Sequence, residues 1–182
     1  MRIISGTARG LKLQSLSGEQ TRPTLDNVKE AIFSMLFEYV RGASVLDLFA
    51  GSGALGIEAL SRGASYADFV DINPASVSVV KANLEKARFL ENSSVYTMSA
   101  KDYLLRAAKE NKEYDLIFLD PPYSAGLYDE VLEIIRRDRL IKDGGLIVCE
   151  FDNGTDIDIK DFHLIKDKRY GRVCVNILEA PQ

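Results

Sequence analysis

An apolar run in this sequence ends on a carboxylate, two prolines and an aromatic ring, in the stretch DLIFLDPPY at residues 115–123. Proline cannot continue a sheet ladder, so a strand formed by this run must end there in a stiff turn. Such a turn could bind an amino group attached to an aromatic base. The Asp120 carboxylate and the Pro121 carbonyl would accept hydrogen bonds from its two N–H groups, which orients the nitrogen lone pair for methyl transfer and stabilises the developing charge.

The other residues of this tetrapeptide suit the same chemistry. Pro121 and Pro122 fix the direction of the carbonyl and have no N–H that would compete for it. Tyr123 offers a ring on which an extruded base can stack, a contact worth ~1–3 kcal/mol. Asp120 could also accept a proton after transfer, but a carboxylate with an ordinary pKa of about 4 is a weak base, so we expect it mainly to orient. The alternative is a rigid turn without chemistry.

A glycine-rich loop lies earlier in the chain, in LDLFAGSGALG at residues 46–56. Gly51, Gly53 and Gly56 match G-x-G-x-x-G between a predicted strand and a predicted helix, where glycine permits a tight turn and close approach of the backbone to a ligand. Asp71, at the end of the next predicted strand, can accept hydrogen bonds from ribose hydroxyls. Together these features predict a site for an adenosine-containing cofactor.

Asp47 helps to decide which cofactor this is. A carboxylate just before the glycine turn is unfavourable beside the pyrophosphate of a dinucleotide, but it suits the ammonium and sulfonium groups of S-adenosylmethionine. Both Asp47 and Asp71 could instead be ordinary turn or cap residues. The further cofactor-binding candidates follow the ends of predicted strands: Phe49, Ile72, Ser99 and Ala100, of which the last two would flank the adenine ring.

Composition and charge exclude several other classes of protein. The 182 residues suffice for one domain with a sizeable core. With no apolar leader and no apolar stretch of membrane-spanning length, we expect a cytoplasmic protein. Two cysteines and one histidine cannot build a convincing zinc site, so we predict reduced thiols and no metal.

The net charge of −4 is unevenly distributed along the chain. Residues 1–41 hold six Lys and Arg against four acidic residues, and residues 160–182 hold five against three. The middle, residues 42–159, holds twelve against twenty. A polyanionic partner would therefore meet the two ends of the chain rather than its central part.

From residue 44 onward, short apolar runs alternate with amphipathic segments, a pattern typical of a parallel sheet with helices on both faces. The predicted strands are 44–49, 66–72, 93–98, 114–120 and 145–151, and the predicted helices are 54–62, 74–90, 100–111 and 127–140. Asn73, which precedes a proline, and Ser99 are predicted N-caps. Two further strands around Tyr170 and Gly171 should pair antiparallel.

Residues 1–42 precede this alternation. They predict a hairpin that carries Arg2, Arg9 and Lys12, a turn-rich loop, and an amphipathic helix that ends near Val40 and has Thr24 as its N-cap. We therefore predict an α/β, Rossmann-like fold with a seven-stranded mixed sheet and an antiparallel C-terminal strand. Residues 1–42 would form an extension bordering the active site, and residues 43–182 the catalytic domain, within one globular unit.

Several of these stretches resemble known methyltransferases. The tetrapeptide is similar to the signature of class I S-adenosylmethionine-dependent enzymes that methylate amino nitrogens. MRIISGTARGLKL, TRPTLDNVKEAIFSML, VLDLFAGSGALGIEALSRGA, LDPPY and YGRVCVNI together resemble the RsmD family of bacterial rRNA methyltransferases. This resemblance covers nearly the whole chain. It implies the class I fold, S-adenosylmethionine as the methyl donor, and N2 of guanine 966 in 16S small-subunit rRNA as the target.

The resemblance also implies roles for individual residues. Those that match the family's cofactor site are Asp47, Gly51, Gly53 and Asp71. The match to its catalytic tetrapeptide is Asp120–Tyr123. An N-terminal motif that borders the active site in the family matches Arg22, Pro23 and Thr24. The substrate-binding candidates are accordingly Arg22 and Thr24, with Arg9 and Lys12 of the predicted hairpin. Ser99 stands where methyltransferases often carry Asp or Asn.

Three alternatives stay open. The enzyme could methylate another base, such as adenine N6 in DNA, although 182 residues leave little room for a target-recognition region. An NAD-dependent oxidoreductase would share the glycine loop, but Asp47 and the tetrapeptide argue against it. A non-catalytic RNA-binding protein is the third. The expected partner is small-subunit rRNA, within a ribosomal subunit or an assembly intermediate, and the protein is expected to be a monomer with no membrane contact.

Overall fold

The described residues form seven strands of one mixed sheet, in a computed structural model that covers residues 1–16, 23–122 and 125–181, without the side chains of 23–25 and 125. The strands are β1 (Ser44–Asp47), β2 (Tyr66–Asp71), β3 (Ser93–Thr97), β4 (Tyr114–Leu119), β5 (Ile141–Asp152), β6 (His163–Tyr170) and β7 (Val173–Glu179). Their order in space is β3-β2-β1-β4-β5-β7-β6. Strands β1 to β5 run parallel, and β7 pairs antiparallel with both β5 and β6. The predicted α/β fold is confirmed.

Helices cover both faces of this sheet. The helices are α1 (Pro23–Met35), α2 (Phe37–Val40), α3 (Ala54–Ser61), α4 (Pro74–Ala87), α5 (Ala100–Lys109) and α6 (Ala125–Arg137), with a short 3-10 helix at Leu90–Asn92. Apolar side chains of α1 to α4 share one core with the sheet, and those of α5 and α6 share the other. We refer to the sheet face covered by α1 to α4 as the α1 face.

The site of interest lies where the strand order reverses. β1 has β2 on one side and β4 on the other, so the connections after β1 and β4 leave the sheet in opposite directions. In open α/β sheets, ligands bind in the crevice beyond the carboxyl ends of the strands at such a point. Both the glycine loop after β1 and the Asp120–Pro122 turn after β4 are therefore at this crevice.

Most predicted boundaries lie within three residues of the observed ones; the largest difference is at β5, which begins at Ile141 rather than at 145 because Ile141 already pairs with Tyr114 of β4. The side chains of Asn73 and Ser99 cap α4 and α5 as predicted. The first helix starts at Pro23, so Thr24 lies inside the helix rather than at its cap. This helix is also interrupted at Leu36, where the amide of Tyr39 bonds the Leu36 carbonyl in a tighter turn. No helix among the described residues is long and apolar enough to cross a membrane.

The N-terminal segment, residues 1–14, is fastened to α3 and α4 by buried polar contacts. Arg2 and Lys12 form an antiparallel bridge, which confirms a short hairpin. The carboxylate of Glu58, fully buried in α3, accepts hydrogen bonds from the backbone amides of Ile4 and Ser5 at 2.8 and 3.0 Å. It also pairs with Lys29 of α1 at 3.2 Å.

Further contacts support this attachment. Arg62 reaches Glu58 at 2.7 Å, so two cations compensate one buried carboxylate. The side chain of Asn83 on α4 accepts a hydrogen bond from the backbone amide of Gln14 at 2.8 Å. It also donates one to the Ser52 carbonyl in the glycine loop. The segment therefore packs as part of the same body as the sheet, and Asn83 links it to the loop after β1.

Candidate active site

The glycine loop after β1 takes the conformation that its sequence predicts. Gly51 and Gly53 have φ values of +55° and +80°, in the left-handed region that glycine adopts without strain. The amide of Gly51 donates to the Asp71 carboxylate at 2.9 Å, which joins the ends of β1 and β2. A Cβ on Gly51 would meet nothing within 4 Å, so the backbone there is open to a ligand.

Gly56 holds α3 close to the sheet. A Cβ at this position would lie 2.3 Å from the ring of Phe69, which is fully buried on β2. No side chain of ordinary size fits there, because real Cβ atoms do not approach other heavy atoms so closely. The third glycine of the motif therefore serves helix–strand packing, and the first two shape the loop.

Asp47, the last residue of β1, is a buried carboxylate at the base of the loop. It is 3% exposed and accepts the amide of Gly56 at 3.0 Å. Burial raises the pKa of Asp47 to about 7, and the nearby charges of Asp120 and Asp71 add to the rise while the Gly56 amide opposes it. A cation placed against Asp47 would favour its charged form.

The other cofactor candidates surround the ends of β2 and β3. Asp71 also accepts the amide of Asn73 at 2.8 Å, and its carbonyl accepts the amide of Met98. Ile72 is 71% exposed, so an apolar side chain is presented to solvent beside Asp71. Ser99 caps α5 and donates to Asp102 at 2.8 Å, so its hydroxyl is already engaged. Phe49 and Ala100 pack partly against the core on the α5 side.

The tetrapeptide follows the end of β4. Asp120 is exposed, Pro121 is buried and Pro122 is exposed, so the chain turns outward at this point. Tyr123 lies outside the described residues, and its stacking role stays a prediction. The charge of Asp120 raises the pKa of both Asp47 and Glu150, as expected when three carboxylates lie near one another.

Strand register explains this neighbourhood and adds a residue that the sequence alone did not suggest. Asp47 pairs with Phe118 across β1 and β4, and Phe118 pairs with Val148 across β4 and β5. Phe118 and Val148 belong to the core on the α1 face. Asp120 and Glu150 lie two residues further along, so by alternation they continue on the same face toward the crevice.

Glu150 lies in the apolar stretch GLIVCEF, near the end of a strand. The one available signal was a carboxylate where an apolar residue would continue the run. Burial raises the pKa of Glu150 above the usual range, and the neighbouring Asp120 and Asp152 raise it further. The carbonyl of Glu150 accepts a hydrogen bond from the Tyr128 hydroxyl of α6. Its side chain is thus a carboxyl beside Asp120 whose protonated form is favoured by burial.

The four predicted substrate-binding residues are placed as follows. Arg9 and Lys12 are exposed on the N-terminal hairpin, and the Lys12 carbonyl accepts a hydrogen bond from Lys86. Arg22 lies outside the described residues. The backbone of Thr24 lies in the first turn of α1, and its side chain is outside the described part. Contact of these residues with a substrate stays a prediction.

Comparison with known proteins gives consistent matches over the whole chain. The family model described as "Conserved hypothetical protein 95" matches residues 1–179. YlbH of Bacillus subtilis is 40% identical over 179 residues and covers 97% of each chain. Ribosomal RNA small subunit methyltransferase D of Haemophilus influenzae is 34% identical over 181 residues, covering 98% of this chain and 93% of its own.

The fold matches equally well. The solved structure of yhhF from Escherichia coli superposes with a TM-score of 0.87 at 31% identity, covering 100% of this chain and 99% of its own. The full-length family match, the identity to curated relatives and the shared architecture agree with one another. This chain is therefore a member of the RsmD family of ribosomal RNA methyltransferases, built on the Rossmann-like class I methyltransferase fold.

Proposed function

We propose that this protein transfers a methyl group from S-adenosylmethionine to the exocyclic N2 of a guanine in small-subunit rRNA, with guanine 966 as the position that the family resemblance implies. The observation that carries the proposal is the position of the Asp120–Pro122 turn. It ends β4 beside the glycine loop after β1, at the point where the strand order reverses. Family membership supports rRNA as the substrate class.

The residues around the glycine loop suit the proposed methyl donor. Gly51 leaves room for close approach, and Asp71 has a carboxylate at the end of β2 where a ribose would lie. Ile72 offers an exposed apolar side chain for an adenine ring. Asp47 supplies a carboxylate for the ammonium group. S-adenosylmethionine supplies an electrophilic methyl group on its sulfonium, so the protein needs no metal to activate it.

The protein's task is then to prepare a poor nucleophile. The N2 lone pair of guanine is delocalised into the ring. The Asp120 carboxylate and the Pro121 carbonyl accept hydrogen bonds from the two N2–H groups. These bonds favour a pyramidal nitrogen and stabilise its developing positive charge. Asp120 can take the proton that leaves N2 and pass it to solvent. We propose that the enzyme acts as a cytoplasmic monomer on rRNA within a ribosomal subunit or an assembly intermediate.

The raised pKa of Asp47 gives a testable pH dependence of cofactor binding. Below pH of about 7 the buried carboxyl is largely protonated, and an ammonium group bound beside it would force a proton off. Affinity should therefore rise with pH, by up to about tenfold per unit, and level off above about pH 7. Calorimetric titration with S-adenosylhomocysteine at pH values from about 5.5 to about 8.5, on both sides of that pKa, measures the change in affinity. Asp47→Asn should bind more weakly with a flat profile, and a flat profile in the native protein would contradict the assignment.

The function itself is tested by comparing rRNA nucleosides from cells with and without the gene. The expected result is loss of one N2-methylguanosine from the small subunit, restored when the purified protein and S-adenosylmethionine are added to the unmodified rRNA. Retention of every N2-methylguanosine would refute the proposal. Methyl transfer to adenine instead would support the alternative of another amino-methyltransferase.

A further inference from the structure

The last two strands carry a dense group of exposed cations. β6 is an edge strand, and all its side chains from His163 to Arg169 are exposed. Residues 163–173 hold four Lys and Arg against one Asp, although the whole chain has a net charge of −4. We refer to these four cations as the C-terminal basic edge: Lys166, Lys168, Arg169 and Arg172.

These cations are not neutralised within the part of the chain that the structure describes. None of the four forms an ion pair there, whereas exposed cations of α5 and α6, such as Lys101, Arg136 and Arg137, are paired with carboxylates. Arg169 donates a hydrogen bond to the Gly171 carbonyl of its own turn, at 3.0 Å. Four positive charges on one short hairpin are therefore available to an external anion.

The C-terminal basic edge lies next to the active site. Glu150 on β5 pairs with Val175 on β7, and Val175 pairs with Lys168 on β6. Val175 belongs to the core on the α1 face, so Lys168 projects from the face on which Asp47 and Asp120 lie. Lys168 is two strands from Glu150, a separation of about 10 Å.

The turn between β6 and β7 lies beyond the paired residues Glu150, Val175 and Lys168, in the direction of the crevice. Asp152 pairs with Val173, and Val173 pairs with Tyr170, one row further toward the carboxyl ends of the parallel strands. Arg172 follows in the turn, and its carbonyl accepts the Asn153 amide at 2.8 Å. Lys168 and Arg172 are therefore placed toward the rim of the crevice rather than at the opposite end of the strands.

We propose that the C-terminal basic edge binds the ribose-phosphate backbone of the RNA substrate beside the nucleotide held at Asp120. This inference rests on the proposed function and assigns it a second RNA-contacting surface, distinct from the N-terminal hairpin. Residues 42–159 carry twelve Lys and Arg against twenty acidic residues, so this stretch has a net negative charge that is unfavourable for binding a polyanion. Local cations beside the acidic crevice offset that repulsion where the RNA must enter.

Lysine on an edge strand has another use, since it opposes edge-to-edge pairing of sheets. Lys166 and Lys168 alone could serve that purpose. Arg172 lies in the turn, where there is no strand edge to protect, and its planar guanidinium is well suited to phosphate. RNA binding accounts for the arginines as well as the lysines.

A matched pair of double variants tests the proposal. Lys168→Gln with Arg172→Gln removes two cations from the C-terminal basic edge. Lys109→Gln with Arg139→Asn removes two exposed cations, unpaired within the described residues, from the opposite end of the strands. Arg139 has a φ of +53°, which asparagine tolerates. Both variants have the same net charge, so any difference between them reports position.

The measurement is the dissociation constant for an unmodified small-subunit rRNA transcript as a function of salt concentration. In the test variant we expect weaker binding and a salt slope lower by about 1 for each phosphate that the variant no longer binds. The Michaelis constant for RNA should rise while kcat at saturating RNA stays unchanged. In the control variant, the salt slope of RNA binding and the Michaelis constant for RNA should equal those of the native protein.

The possible failures are distinguishable. If both double variants match the native protein in slope and affinity, the C-terminal basic edge does not bind RNA, and a lower aggregation threshold in the test variant would assign it to edge protection. If the native protein binds the transcript but transfers no methyl group, the proposed function is wrong while the comparison of slopes still decides the surface. If the native protein does not bind RNA, both proposals are overturned.

Discussion

An Asp120→Ala variant is expected to lose methyl transfer by about 100-fold or more while it binds S-adenosylhomocysteine within a few-fold of the native affinity. The reason is that Asp120 follows β4 and serves the amino group of the base, whereas the cofactor candidates lie at the ends of β1, β2 and β3. Single-turnover kinetics with saturating RNA and cofactor measure the first quantity, and calorimetry the second. A collapse of cofactor affinity would place Asp120 in the cofactor site instead.

The conservative variant separates two roles of the same residue. Asp120→Asn keeps an oxygen that can accept an N–H of the base but cannot take a proton. If Asp120 mainly orients the amine, this variant should keep much more activity than Asp120→Ala. If it acts as an essential base, both variants should be equally inactive. Asp143→Ala removes an exposed carboxylate at the far end of β5 and should leave transfer unchanged.

The second large effect concerns stability. Glu58→Ala should lower the free energy of unfolding by about 3–5 kcal/mol, because it leaves Lys29 buried without its partner and the amides of Ile4 and Ser5 without an acceptor. Burial lowers the pKa of Lys29 despite the attraction of Glu58, so this ammonium group already bears a desolvation cost. For a chain of this size we expect the melting temperature to fall by roughly 10 °C.

Thermal and denaturant unfolding measure this loss, with Glu133→Ala as the control. Glu133 pairs with Arg136 on the surface, and such a pair contributes at most about 1 kcal/mol. Glu58→Gln keeps an oxygen for one of the two backbone amides, and its loss of stability should fall between those of the other two variants. A loss below about 1 kcal/mol for Glu58→Ala would mean that water replaces the carboxylate and that the N-terminal segment is only loosely attached.

The features that could be predicted from the sequence are those encoded locally. Alternating apolar runs and amphipathic segments identify β1 to β5 and the helices between them, because each pattern depends on residues within a few positions. The caps at Asn73 and Ser99 and the glycine conformations at Gly51 and Gly53 are equally local. The break at Leu36 was missed because apolar spacing continues through it.

The features that could not be predicted depend on contacts between distant parts of the chain. A single glutamate in the helix ALGIEALS is ordinarily solvent-exposed. Glu58 is buried because Lys29 and the N-terminal segment pack over it. Glu150 becomes a neighbour of Asp120 only through the register of β4 and β5. The pKa of Asp47 likewise depends on burial, which the sequence around it does not reveal.

The attachment of the N-terminal segment has a consequence for the order of folding. The amide of Ile4 bonds a residue 54 positions later, and that of Gln14 bonds one 69 positions later. Closing loops of this length costs conformational entropy that is recovered only when α3 and α4 already present their polar groups. Residues 1–14 are synthesised before the helices that bind them: the contacts of Ile4 and Ser5 with Glu58 cannot form until residue 58 has left the ribosome, and the contact of Gln14 with Asn83 cannot form until residue 83 has.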